Sequence, residues 1–271
     1  MEAPYKAPKE DNSMKIGFTS DLHIFLTTEK AIKKMFQEMA ADKPDVVVIA
    51  GDHSGTHEGS RGAKAIFMIA RNAFPTTPII ACLGNHDYWI RGVKKKIDGD
   101  AYSKQYYHPS IDEFNANYQN IVNHAEQYNI HLLEEKGVYR FPDMWGFVIA
   151  GHGLWYKYPP NSNDQLYLPM GIDGDTHRYM YKRTTDALLK QLEQLDDAND
   201  GIRVFVSHFP IFHVKEHDAP WSGDSFLGQM LHDDYQFTTF LNGHSHGNYN
   251  GPIRWEPGSD YYNPKYKILN V

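Results

Sequence analysis

A chain of 271 residues with 41% hydrophobic and 14% aromatic content holds ample apolar material for one large core, and it carries no polar low-complexity tract of the kind that marks disorder. The formal net charge of -7 argues against a broad nucleic-acid-binding surface, yet leaves a phosphate-bearing small molecule open, because bound metal ions supply positive charge locally. The single cysteine, Cys82, rules out an intramolecular disulfide, and beside 15 histidines it means that any metal site is built from nitrogen and oxygen ligands.

Residues 1–13, MEAPYKAPKEDNS, are polar and Pro-containing and lack the apolar h-region of a secretory signal, so they read as a flexible tail. No stretch approaches the apolar length that spans a bilayer, and a soluble cytoplasmic protein is the expectation. Residues 14–271 read as a single domain. Its first apolar run is KIGFTS at 15–20. A helix is predicted over Thr28–Asp42, where Ile32, Met35, Phe36 and Met39 recur at helical spacing and Asp42-Lys43-Pro44 stops the pattern. DVVVIA at 45–50 is apolar without alternation, as a strand covered on both faces should be. PIIACL at 78–83 is a third strand, within which Cys82 reads as a small buried hydrophobe.

Residues 88–109 break the alternation. They hold a basic cluster (Arg91, Lys94, Lys95, Lys96) and several tyrosines and read as an insertion, the lysine run being more simply a solvated face than a phosphate clamp. From Ser110 to Tyr128 a second helix opens with a capping box, Ser110 and Glu113, and lays Phe114, Tyr118, Ile121, Val122 and Ala125 along one stripe. GFVIAG at 146–151 is the next strand. Residues 154–182 mix aromatics with Pro, Asn and Gly and read as a second insertion, whose rings either stack on a substrate or pack the loop. A helix near Thr185–Leu195 presents Leu188, Leu189, Leu192 and Leu195, and the strands RVFVSH at 203–208 and FTTFLN at 237–242 complete the series. Strands alternating with helices imply an α/β domain with substantial parallel pairing.

Five of the six apolar runs end in potential metal ligands: Asp21-Leu22-His23, Gly51-Asp52, Gly84-Asn85-His86-Asp87, His208, and Gly243-His244-Ser245-His246. The carboxyl ends of strands in α/β sheets face the ligand crevice, so these residues can converge there. Two divalent ions a few ångströms apart repel strongly and need an anionic ligand between them, for which Asp52 is the natural candidate. Imidazole and carboxylate suit Mn, Fe, Zn, Co or Ni, and such pairs of ions promote in-line displacement at phosphorus.

In this order, Asp-x-His, Gly-Asp, Gly-Asn-His-Asp, a later strand-terminal His and Gly-His-x-His resemble the calcineurin-like metallophosphoesterase superfamily, over most of the chain. The resemblance implies a four-layer αββα sandwich of two mixed β-sheets flanked by helices. It implies one metal bound by Asp21, His23, Asp52 and His246, and a second bound by Asp52, Asn85, His208 and His244, with Asp52 bridging. The two ions are divalent or trivalent, manganese first among them, and a hydroxide between them attacks a phosphomonoester or phosphodiester of a small molecule or nucleotide. His86 is not a ligand in this scheme; it assists the leaving oxygen, with Asp87 orienting it or shaping the turn. The chain departs from the protein-phosphatase branch, which has a further Asp and Arg after Gly-Asp where this chain reads His53-Ser54-Gly55-Thr56-His57, and a Glu where this chain has Asp87. Phosphoprotein phosphatase activity is therefore not expected. A catalytically silent scaffold acting through protein interaction is the alternative, disfavoured because His86 and every ligand position are intact.

Among the other histidines, His108, His124, His131, His177 and His232 are expected to have no contact with metal. His53, His57, His152, His213 and His217 follow strand ends and stay open as substrate contacts.

Overall fold

The computed structural model describes residues 13–55, 58–88, 111–142, 146–153, 174–196, 200–211, 225–244, 254–255 and 265–271. In the first sheet, β1 (Lys15–Thr19), β2 (Val46–Ala50), β3 (Ile79–Cys82) and β4 (His131–Leu132) run parallel, and β10 (Lys267–Asn270) closes the far edge antiparallel to β1. In the second, β6 (Phe147–Gly151), β7 (Ile202–Ser207), β8 (Thr239–Asn242) and β9 (Arg254–Trp255) run parallel, and β5 (Tyr139–Arg140) pairs antiparallel with β6.

Period-two side-chain direction divides each strand between two apolar layers. Val46, Val48 and Ala50 of β2 join Ile16, Phe18, Ile80 and Cys82 against Phe147, Ile149, Val204, Val206 and Leu241, so one core lies between the sheets. Val47 and Ile49 point the other way. They meet Met35, Phe36 and Met39 of α1 (Glu29–Ala41), Ile66, Phe67 and Ala70 of α2 (Ser60–Ala73), and Phe114, Ile121 and Val122 of α4 (Ile111–Gln127), which the short helices α3 (Asn85–Tyr88) and α5 (Leu133–Lys136) precede and follow in the chain. The outer face of the second sheet, Ala150, Phe205 and Phe240, is covered by Leu188 and Leu192 of α6 (Gly174–Leu192) and Leu231 of α7 (Ser225–Asp233). The order is helix, sheet, sheet, helix: the αββα sandwich that the resemblance implies. Both faces of β2 are covered, which is why its sequence does not alternate.

All six apolar runs are strands, and α1 is capped by the Thr28 hydroxyl, which accepts from Ala31 N at 3.3 Å. Cys82 is buried and unpaired among the described residues, and burial pushes its thiol well above the ordinary range. One boundary differs from expectation. Residues 174–182, read as part of an insertion, belong to α6. Proline and glycine in YPPNSNDQLYLPMG colour the whole segment, but after Gly174 neither residue occurs and the helix propagates, with Lys182 and Asp186 paired one turn apart at 2.5 Å. Leu189 lies off the apolar stripe and is 46% exposed. Residues 89–110 and 154–173, hence most of both insertions, Lys94–Lys96 and the capping Ser110, fall outside the described residues. Among those described, no helix is long and apolar enough to cross a membrane.

Candidate metal centre

The parallel strands of both sheets deliver their carboxyl ends to one edge of the sandwich, and there the chain turns sharply. Asp21 (φ 52°), His23 (φ 41°), Asp52 (φ 51°) and His244 (φ 71°) all adopt left-handed backbone, which costs an L-residue roughly 1–2 kcal/mol each. Neighbouring loops hold them there. Asp21 N donates to Gly51 O at 3.1 Å, His23 N to Asp52 O at 2.9 Å, and Gly243 N to His208 O at 3.1 Å. Across the sheets, both carboxylate oxygens of Asp21 accept the His244 amide at 3.1 Å, tying the loop after β1 to the loop after β8. Strained residues gathered at one place and over-determined by their surroundings are a mark of a functional site.

Three imidazoles share one arrangement. Nδ1 of His23 lies 3.2 Å from Ser54 O, Nδ1 of His86 2.8 Å from Gly55 O, and Nδ1 of His208 3.0 Å from Ala50 O. A carbonyl oxygen only accepts, so each Nδ1 carries the proton and each Nε2 is turned inward. All three Nε2 atoms face the Oδ2 atom of Asp52, at 3.7 Å from His23, 3.9 Å from His86 and 3.3 Å from His208. His23 Nε2 is also 3.9 Å from Asp21 Oδ1. His208 Nε2 further faces Asn85 Oδ1 at 3.1 Å and His244 Nδ1 at 3.3 Å. The other oxygen of Asp52 accepts the His86 amide at 2.9 Å. A Cβ on Gly84 would sit 2.2 Å from that oxygen, so only glycine allows this carboxylate to lie where it does.

Two groups of donors result, His23–Asp52–His86 and Asp52–His208–His244, each with its atoms within 4.8 Å of one another, and Asp52 belongs to both. Ligands around a four-coordinate ion at metal–nitrogen distances of about 2.0–2.1 Å stand roughly 3.4 Å apart. The separations on Asp52 match that spacing better than a direct hydrogen bond. The donor set is imidazole nitrogen, carboxylate and amide oxygen, and His23, His86 and His208 are each fixed by a carbonyl behind the ring, as metal-ligating histidines generally are. The residues fit a metal.

The electrostatics point the same way. Burial raises the Asp52 carboxyl, but the facing imidazoles of His208, His86 and His23 outweigh it and hold the group well below the ordinary range. Burial likewise lowers His208, yet the Asp52 charge wins and lifts it to about 10. A proton on His208 and a shared metal ion are alternative ways of placing positive charge among these acceptors.

Asp87 sits beside this constellation in another capacity. Its carboxylate is buried and accepts Ser54 N at 3.0 Å, Gly84 N at 2.9 Å and His53 Nδ1 at 2.8 Å. It shapes the turn and joins the loop of Asp52 to the loop of Asn85; its carboxylate bonds are to these groups and not to the His86 ring. His53, open as a substrate contact from sequence, is fully buried and its ring packs edge-on against Phe67 at 5.0 Å. His152 is also buried, 3.9 Å from Glu134, and burial depresses it to about 3, so it is neutral at ordinary pH. Of the remaining histidines, His131 holds Gly137 O at 2.9 Å and His232 pairs with Asp233 on the surface, both away from the donor groups. His246, His57, His108, His213 and His217 lie outside the described residues, as does the side chain of His177.

Sequence reasoning missed Glu134. Its Oε1 accepts Leu83 N at 2.8 Å and Gly153 N at 2.7 Å, bridging the ends of β3 in one sheet and β6 in the other. Burial raises its carboxyl to about 7. In HLLEEKG it looks like a solvated helix face, and no local signal sets it apart.

No curated protein matches the chain. Among solved structures, TT1561 of Thermus thermophilus is 18% identical with a TM-score of 0.50, covering 95% of this chain and 99% of that one. Purple acid phosphatase PPD1 from yellow lupin (Lupinus luteus) seeds is 12% identical with a TM-score of 0.47, and 89% of this chain spans 39% of that one. At these identities the likeness to TT1561 speaks for the fold alone, which leaves membership to the sequence. There the calcineurin-like phosphoesterase model matches residues 14–248, a span that runs through every strand end carrying a candidate ligand, and the chain therefore belongs to the calcineurin-like phosphoesterase family.

Proposed function

We propose that this protein is a dinuclear metal-dependent phosphoesterase that hydrolyses a small phosphomonoester or phosphodiester, nucleotides included. One observation carries the reading: three loops aim three Nε2 atoms at a single oxygen of Asp52, which takes part in both donor groups. Asp21, His23 and Asp52 would hold one ion with His246, and Asp52, Asn85, His208 and His244 the other. Manganese is the first choice for both, with iron, zinc, cobalt or nickel compatible with the same ligands. Residues 14–271 form one catalytic domain, with the insertions at 88–109 and 154–173 setting substrate choice.

When bound, such a pair of ions supplies an activated water and neutralises charge on the phosphoryl oxygens. The chain's own residues do the rest. His86, its Nδ1 committed to Gly55 O, presents Nε2 beside Asp52, and a proton carried there is available to the departing alkoxide. Asp87 fixes the turn from which His86 projects by holding Gly84 N and Ser54 N together. The net charge of -7 disfavours a polymeric nucleic acid as substrate.

The test is hydrolysis of para-nitrophenyl phosphate and bis-para-nitrophenyl phosphate by the purified protein, with manganese and after chelation. Turnover of either probe that vanishes on chelation and returns with manganese supports the reading, and the preferred probe sorts monoesterase from diesterase. Turnover that survives exhaustive chelation sinks it.

A further inference from the structure

Beside the donor groups lies a piece of surface that folding does not explain. Six large hydrophobic residues are exposed among those described, and four of them, Met68, Ile111, Tyr179 and Leu189, lie on helix faces, where single apolar residues are ordinary. The other two, Phe25 and Leu26, are adjacent in the loop that follows His23. Phe25 is 50% exposed and has φ 78°. For a bulky aromatic residue that conformation is an outlier, and asparagine or glycine would occupy it with less strain. A half-exposed ring on strained backbone contributes little to stability, so its reason lies elsewhere.

The loop is tied by backbone hydrogen bonds directly beside the donor groups. Leu26 N and Thr27 N both donate to His23 O at 2.9 Å, and Ile24 N to His53 O at 3.0 Å. A Cβ on Gly55 would meet Ile24 O at 2.7 Å and the Leu26 side chain at 2.9 Å, so Ile24 and Leu26 lie directly on Gly55. The carbonyl of that glycine is the one that orients His86, whose ring stands 4.7 Å from the His23 ring. Phe25 is thus two residues from His23, and its neighbours Ile24 and Leu26 lie against the glycine that orients His86. The Arg61 guanidinium, exposed at the start of α2, lies 6.0 Å from the Phe25 ring and has no carboxylate partner among the described residues.

We propose that Phe25 and Arg61 form a leaving-group subsite: the ring stacks on a planar ring carried by the departing alcohol, and the guanidinium takes an anionic or carbonyl oxygen on that ring. The substrate class is then a phosphoester with an aromatic leaving group, a nucleobase-bearing one included. This rests on the phosphoesterase reading for the place of His86, but its test does not depend on turnover.

Binding of phenylphosphonate, methylphosphonate and 4-carboxyphenylphosphonate to the manganese-loaded protein is measured by calorimetry for wild type, Phe25→Asn and Arg61→Gln. Wild type should bind the phenyl ligand about tenfold more tightly than the methyl one, and Phe25→Asn should abolish that ratio. Because asparagine tolerates left-handed backbone, this variant should unfold at no lower a temperature than wild type. The carboxyphenyl ligand should gain a further few-fold over the phenyl one, and Arg61→Gln should remove that gain. Equal binding of phenyl and methyl ligands by wild type, binding of neither, a ratio that survives Phe25→Asn, or a carboxylate gain that survives Arg61→Gln overturns the proposal. If the ratios behave as expected while phenyl phosphate and methyl phosphate are never hydrolysed, the subsite stands and the phosphoesterase reading fails.

Discussion

The Oδ2 atom of Asp52 stands 3.3 Å from Nε2 of His208, while its Oδ1 accepts the backbone N–H of His86 at 2.9 Å. One carboxylate therefore does two jobs: it offers negative charge to the imidazoles and it positions the turn that carries Asn85 and His86. Asp52→Asn separates these roles, because an amide oxygen still accepts the His86 amide while the charge is gone. Metal content measured by atomic spectroscopy should fall below that of wild type, and phosphoesterase turnover should fall by at least about 100-fold. Wild-type turnover in this variant would mean that Asp52 does not bridge.

His86 is the residue on which geometry and family resemblance part company. Its Nε2 lies in the same donor group as His23 and Asp52, yet the resemblance gives it the leaving group and not a metal. His86→Ala distinguishes the two. Loss of a proton donor should lower kcat by about 10²–10⁴-fold with metal stoichiometry unchanged. A stoichiometry lower by one ion per chain would make it a ligand.

The carboxylate of Asp87 accepts three N–H groups from two loops, all of them buried. Asp87→Asn keeps the shape but turns an NH2 group toward at least one of those donors. Leaving a buried donor unsatisfied costs about 1–3 kcal/mol, and the variant's urea midpoint should fall accordingly, with or without metal. A variant as stable as wild type but inactive would instead place Asp87 in the chemistry.

Much of this is legible in the sequence. The strand ends could be read because each ligand cluster directly follows an apolar run; the αββα order comes only with the family resemblance, and β2, whose two faces join different cores, shows it in the structure. What could not be read depends on contacts distant in sequence. Asp87 stands next to His86 in the chain and invites a joint role, yet its carboxylate turns to Ser54 and His53, more than thirty positions back. Two-residue strands such as β4 and β5 have too few positions for any period to show. The strain at Phe25 is a backbone angle with no signature in composition.

Glu134 gives the sharpest dependence on pH. Its native carboxyl keeps its proton up to about pH 7, because burial disfavours the charged form more than the Leu83 and Gly153 amides favour it, whereas the unfolded chain releases that proton near 4.5. Between those values the native state binds more protons than the unfolded one, so this group's contribution to stability is intact below pH 4.5 and is lost as pH rises to 7. Glu134→Gln keeps an oxygen for both amides and carries no charge. Relative to wild type it should be close to neutral at pH 4.5 and progressively more stable toward pH 8, by roughly 2–3 kcal/mol at the top of the window. Groups that do not face Glu134 cancel in the difference between the two unfolding free energies, which reports Glu134 together with its neighbours His53 and His152. Urea titrations at five pH values between 4.5 and 8 measure it, and a difference that stays flat with pH would mean that burial does not raise the native Glu134 carboxyl above its unfolded value.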